Sequence, residues 1–78
     1  MAKALVFINS KQDSSGLVRD LEKVEGVREA HSSRGVYDAV VLVQAESITK
    51  LKEILSQRIR SNENVKSTLT LTLIETPA

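Results

Sequence analysis

Hydrophobic and polar positions divide the chain into six segments. Ala4-Leu5-Val6-Phe7-Ile8 is an unbroken β-branched and aromatic run whose length suits a strand buried on both faces. A polar stretch from Asn9 to Ser15 then turns the chain. Leu17, Val18, Leu21 and Val24 recur at helical spacing, with Asp13, Ser14 or Ser15 available as the N-cap and Gly26 placed to end the helix in a left-handed conformation. Val27 to Arg34 reads as a second, more polar strand and Gly35-Val36 as a tight connection. Tyr37 to Val43 is a third strand, apolar on both parities over Ala39-Val40-Val41-Leu42-Val43. Ser47 precedes a second helix with the stripe Ile48, Leu51, Ile54, Leu55 and Ile59, ended by Asn62 to Asn64. Val65 to Ile74 follows with strict alternation, Leu69, Leu71 and Leu73 against Thr68, Thr70 and Thr72.

The resulting order is β-α-β-β-α-β, and its halves echo each other. Val24-Glu25-Gly26-Val27-Arg28 leaves the first helix much as Asn62-Glu63-Asn64-Val65-Lys66 leaves the second. Gly26 and Asn64 are the residue types that best tolerate positive φ, each followed by Val and a cation entering a strand. Order and echo together predict an α+β fold, a ferredoxin-like sandwich with one antiparallel sheet, spanning residues 1–78 as a single domain. In that topology the first and third strands are central, and these are the two apolar on both faces. Right-handed crossovers place both helices on one face of the sheet. Half of Ala4 to Ile8 and half of Ala39 to Val43 then point to a face without cover, a patch unusually large for a soluble monomer. The expectation is a second copy packed sheet to sheet, a dimeric α+β barrel burying roughly 800 Å² or more per chain.

Composition narrows the chemistry. A chain of 78 residues usually needs a staple or a partner, and there is no cysteine. Disulfides, iron–sulfur clusters and thiolate zinc are thereby removed, and the single histidine, His31, cannot build a multi-histidine metal site. No metal and no cofactor are expected. One Phe, one Tyr and no Trp leave an aliphatic core without stacking platforms for RNA or single strands. Lys and Arg number 11 against 10 Asp and Glu, a net +1 that lacks the footprint of a duplex-DNA binder. The apolar run in MAKALVFINSK is too short for a signal peptide core or a membrane span, so the cytoplasm is the expected setting.

No catalytic constellation emerges. His31, Tyr37, Asp38 and Glu29 are the titratable candidates, with no nucleophile and base at a diagnostic spacing, and Gly16, Gly26 and Gly35 are isolated rather than grouped in a phosphate loop. His31 reads as a solvated or hydrogen-bonded strand residue, although Val27 and Ala30 do not settle its face. Lys50, Lys52, Arg58 and Arg60, interleaved with Glu46 and Glu53, read as a solvated helix face rather than a phosphate-binding surface. The stretch Ser33-Arg34-Gly35-Val36-Tyr37-Asp38 is less ordinary. A turn explains Gly35 and Asp38, but not the only tyrosine of the chain beside two apolar strands. Thr68, Thr70 and Thr72 read, on composition alone, as β-formers on the solvated side of an edge strand sooner than as a row of ligand-binding hydroxyls.

Gly35-Val36-Tyr37-Asp38, the aliphatic strand that follows, and Val65-x-x-Thr68-x-Thr70 after a helix resemble the effector domain of the Lrp/AsnC transcription regulators, also called the RAM domain. The resemblance covers about Ala2 to Glu75, and no helix-turn-helix precedes the first strand, so it is to the stand-alone form. It implies a ferredoxin-like fold, dimers joined through sheet faces, and assembly of dimers into tetramers, octamers or similar rings. It also implies a free amino acid bound between dimers, lined by Gly35, Tyr37 and Asp38 from the hairpin and Thr68 and Thr70 from the last strand, with Leu69 as a pocket wall. Asp38 would accept from the ligand ammonium, while backbone amides and threonine hydroxyls would donate to its carboxylate. Arg34 stands where the family more often has a small polar residue. Contact with an acidic ligand side chain, an inter-dimer ion pair and plain solvation are its three readings.

The expectation is therefore a non-enzymatic, oligomeric amino-acid-binding effector domain that modulates full-length Lrp/AsnC regulators through ligand-dependent assembly. A purely structural oligomerisation module is the alternative. A small dimeric α/β-barrel enzyme of the monooxygenase kind is the lesser one, since only His31 and Asp38 could serve as its base or axial ligand.

Overall fold

A computed structural model describes residues 1–12 and 14–73. Its elements are β1 (Ala2–Ser10), α1 (Ser14–Glu22), β2 (Val27–Ser32), β3 (Ala39–Ala45), α2 (Ile48–Ile54) and β4 (Val65–Leu73). The four strands form one antiparallel sheet in the order β2-β3-β1-β4, the ferredoxin-like arrangement expected from the pattern. The two apolar strands occupy the centre, where each buries one row of side chains and half-buries the other.

Alternation along β1 and β3 divides their side chains cleanly. Ala2, Ala4, Val6 and Ile8 of β1, with Ala39, Val41, Val43 and Ala45 of β3, are buried against Leu17 and Leu21 of α1 and Leu51 and Ile54 of α2. Ile59, which follows α2, completes this core. Each large aliphatic side chain so buried contributes about 1.5–3 kcal/mol relative to exposure. Small alanines at both ends of the strand rows let the helices approach there, and no polar side chain is buried among the described residues.

Leu55–Ile59 continues α2 as a π-helical turn in which Arg60 N donates to Leu55 O at 3.0 Å. In a regular α-helix two residues five apart diverge by about 140° around the axis. The wider turn absorbs that divergence, so that Ile54 and Ile59 both reach the core. Ser47 caps α2 as expected, its Oγ accepting from Lys50 N at 3.1 Å. Ile48 departs from the expected stripe and is 48% exposed, because the first turn of α2 extends past the end of the sheet core.

Other boundaries differ from the sequence expectation. Ser14 and Ser15 fall inside α1 rather than before it, and Asp13 lies outside the described residues, as do Ile74 and Glu75. Gly26 does turn the chain with φ +98. An added Cβ there would stand 2.8 Å from Ile54 Cδ1 and 3.2 Å from Gln44 O, so both conformation and space require glycine. Asn64 does not share that conformation: no described non-glycine residue has positive φ. The echo between the halves is one of position, and Asn64 works through its side chain instead, as described below.

Between β2 and β3 the chain makes a longer excursion than a tight turn. Pairing ends at Ser32↔Ala39, so residues 33–38 lie outside the ladder, and Arg34 and Tyr37 are not strand residues. At its β3 side this excursion is bonded to the end of β1, through both the backbone and the carboxylate of Asp38.

Candidate functional site

Residues 33–38 are held at their base and free at their tip. Ser33 N donates to Asp38 O at 2.8 Å, and the Ser33 hydroxyl donates to Tyr37 O. Asp38 N donates to Ile8 O at 2.9 Å, and Asp38 Oδ2 accepts from Ser10 N at 2.8 Å and Ser10 Oγ at 3.0 Å. A carboxylate that accepts two such bonds anchors the connection to β1. Asp38 Oδ1 has no partner among the described residues and is open to a further donor. Tyr37 is half-buried with its ring centroid 5.6 Å from that of Phe7 and tilted by 50°, a favourable aromatic geometry. At the tip Gly35 has φ +117 with open space around it, and Val36 is 81% exposed.

A second anchor joins the same end of the sheet to β4. Asn64 Oδ1 accepts from Lys11 N at 3.2 Å and Gln12 N at 3.0 Å, Asn64 O accepts from Lys11 N at 2.8 Å, and Asn62 Oδ1 accepts from Asn64 N at 2.8 Å. Ser10, Asp38 and Asn64 thus lace three separate segments together. The Asn62-x-Asn64 spacing carried a local signal for such side-chain turns. Ser10 carried none, since its partner is 28 residues away.

Register decides where the remaining site residues point. Thr68 lies opposite Ile8 and Thr70 opposite Val6, which places both on the helix-bearing face, at its uncovered outer margin. Leu69 lies opposite Phe7 and faces the other way. Tyr37, Phe7 and Leu69 therefore meet on the bare face, Thr68 and Thr70 stand on its reverse, and Arg34 and Gly35 sit at the tip. The threonines are on the side expected to hold apolar residues in a monomer, and the leucines carry the exposure: Leu69, Leu71 and Leu73 are 40–47% exposed. Within one chain these seven residues do not close around a cavity. The surface grooves of about 800 and 310 Å³ include none of them.

The bare face itself is ordered into rows. Val40, Phe7 and Leu69 form one, Leu42, Leu5 and Leu71 the next, and Gln44, Lys3 and Leu73 the last. Polar groups frame them. Asn9 and Ser67 stand at the hairpin end, while Arg28 Nε donates to Gln44 Oε1 at 3.1 Å at the other. Pairing with Val40 places His31 on this face, where its Nε2 lies 3.3 Å from Glu29 Oε1 in an exposed pair. An apolar centre with a polar rim is the anatomy of a protein interface.

Among the described residues no three metal-ligating side chains gather, and no helix is long and apolar enough to cross a membrane.

Comparison with known proteins gives a consistent set of matches. The family model described as the Lrp/AsnC ligand binding domain matches residues 3–78. A homocitrate synthase of Sulfolobus acidocaldarius is 36% identical over 75 residues, which cover 96% of this chain and 16% of that enzyme. The regulatory protein AsnC of Escherichia coli K12 is 28% identical over 72 residues, 92% of this chain and 47% of the regulator, and its solved structure superposes with a TM-score of 0.87. A feast or famine regulatory protein of M. tuberculosis, Rv3291c, solved with L-methionine, is 32% identical with a TM-score of 0.78, covering 97% of this chain and 52% of that one. The chain thus spans about half the length of the matched regulators, and less of the enzyme.

Proposed function

The chain belongs to the Lrp/AsnC ligand-binding-domain family, and from that premise we propose that it is a non-enzymatic, oligomeric amino-acid-binding effector domain. The observation that carries this reading is the bare apolar sheet face, continuous through Phe7 and Tyr37 with a rigidly anchored hairpin. A second copy covers that face, so the hairpin of each chain is brought beside other chains. Dimers then assemble into tetramers, octamers or similar rings, and the ligand sits between them.

The site is assembled from parts that one chain holds apart. Asp38 Oδ1 accepts from the ligand ammonium while Oδ2 stays bonded to Ser10. Amides around Gly35, whose Cα is unobstructed, and the hydroxyls of Thr68 and Thr70 donate to the carboxylate. Tyr37 and Leu69 bound the side chain. The L-methionine complex of the M. tuberculosis relative supports an amino acid as the ligand class. The match of the ligand-binding-domain model to residues 3–78, and the likeness to a regulatory protein over 92% of this chain, favour binding over catalysis.

The domain acts in the cytoplasm, without cofactor or direct nucleic acid contact, by joining regulators that carry the same domain. Ligand shifts assembly because it binds one assembly state more tightly than another. The homocitrate synthase match favours a second target for the same mechanism, an enzyme, since the matching stretch there forms a small part of that chain.

Titration calorimetry with a panel of amino acids, run alongside light scattering on a sizing column, tests the reading. Binding accompanied by a change in assembly size is expected. A stable oligomer that binds no amino acid would leave the oligomerisation module, and a monomer at micromolar concentration would overturn both.

A further inference from the structure

Arg34 is a cation without a counter-charge. It is exposed, and its guanidinium makes no hydrogen bond or ion pair with any described residue. The acidic groups on neighbouring segments make no ion pair with it. Asp38 accepts two bonds from Ser10, and Glu29 lies 3.3 Å from His31. Gly35 directly follows, with φ +117 and nothing within 4 Å of the position a Cβ would take, so a small ligand can approach this backbone closely.

The surroundings add to the same sign. At the hairpin end of the sheet Lys11 follows β1, Arg60 ends the π-helical turn, and Lys66 opens β4, so four cations including Arg34 face Asp38 and Glu63 among the described residues. At the opposite end the large groove is balanced, Glu25, Glu46 and Glu53 against Arg28, Lys50 and Arg58. A zwitterion is neutral and gains nothing from this asymmetry. A ligand with one further negative charge does, and a planar guanidinium suits a carboxylate through two parallel bonds.

We propose that Arg34 is a specificity-determining residue and that the ligand of the hairpin site is an amino acid whose side chain ends in a carboxylate. The assignment rests on the proposed amino-acid-binding function and names its ligand class. Arg34 takes the side-chain carboxylate, while Asp38 and the amides about Gly35 take the groups common to all amino acids.

Calorimetric titration of the full chain with L-aspartate and L-glutamate, against L-asparagine and L-glutamine, supplies the test. Each acid is expected to bind at least about tenfold more tightly than its amide, the margin of one charge-assisted contact. Arg34→Gln should erase that margin with binding of the amides retained, and Arg34→Lys should restore part of it. Circular dichroism checks that each variant remains folded. Amides that bind as tightly as acids overturn this inference and leave the proposed function standing, whereas no binding by any amino acid overturns both. If Arg34→Gln instead changes the assembly size without ligand and leaves selectivity intact, Arg34 is an inter-dimer contact and the inference fails.

Discussion

The two faces of the sheet are made by the same strands and do opposite work. On the helix-bearing face, Ala4, Val6, Ile8, Val41 and Val43 are at most 1% exposed. One residue along, Leu5, Phe7, Val40 and Leu42 are only half-buried, and Leu69, Leu71 and Leu73 of β4 are 40–47% exposed. The first face pays for folding; the second leaves apolar area exposed, which the proposed sheet-to-sheet dimer would cover. A small domain without cysteine would gain from such a division, because a second copy would supply the cover that so short a chain lacks.

Substitutions on the two faces should therefore separate stability from assembly. Leu21→Ala, on the buried face, is expected to cost about 2–5 kcal/mol of folding free energy in urea denaturation through lost transfer energy and an unfilled cavity. Gly26→Ala belongs to the same face. The left-handed backbone costs about 1–2 kcal/mol for a residue with a Cβ, and the 2.8 Å approach to Ile54 adds to it, so a clear fall in thermal midpoint is expected.

Leu71→Asp probes the other face. It should barely alter the unfolding of the isolated chain yet weaken self-association by about 2 kcal/mol, roughly thirtyfold in dissociation constant by sedimentation. A Leu71→Asp chain that unfolds readily but still dimerises would erase the contrast between the faces.

Asp38→Ala lies where the faces meet. Removing the acceptor of two Ser10 bonds should cost about 1–3 kcal/mol and, by loosening the hairpin, should lower amino acid affinity as well. Ser47→Ala, at the start of α2 on the helix side of the sheet, is expected to cost about 1 kcal/mol through the lost cap of α2, with assembly unchanged in light scattering.

Much of this was legible along the chain. Helical spacing located Leu17, Leu21, Leu51 and Ile54, and the two doubly apolar runs identified β1 and β3 as central strands. Illegible were the features that depend on residues meeting from afar. Ser10 becomes an anchor only because Asp38, 28 positions on, is brought to it. Asn64 resembles Gly26 in position, but its work is done by a side-chain oxygen that finds the amides of Lys11 and Gln12. Ile48 fits the helical stripe, yet nothing in the spacing tells where the sheet beneath it ends.

By itself, the sequence determined the order of elements, the two parities of each strand and the presence of more apolar surface than one layer of helices can cover. Period-two alternation separates leucines from threonines in β4, but it is symmetric and assigns neither row to a face. Only the tertiary structure decided that, through the register that sets Phe7 opposite Leu69 and Ile8 opposite Thr68. A one-residue shift would exchange the two rows, and the pairing with β1 holds them because the long-range contacts of the folded sheet, not any local preference, set which side is in.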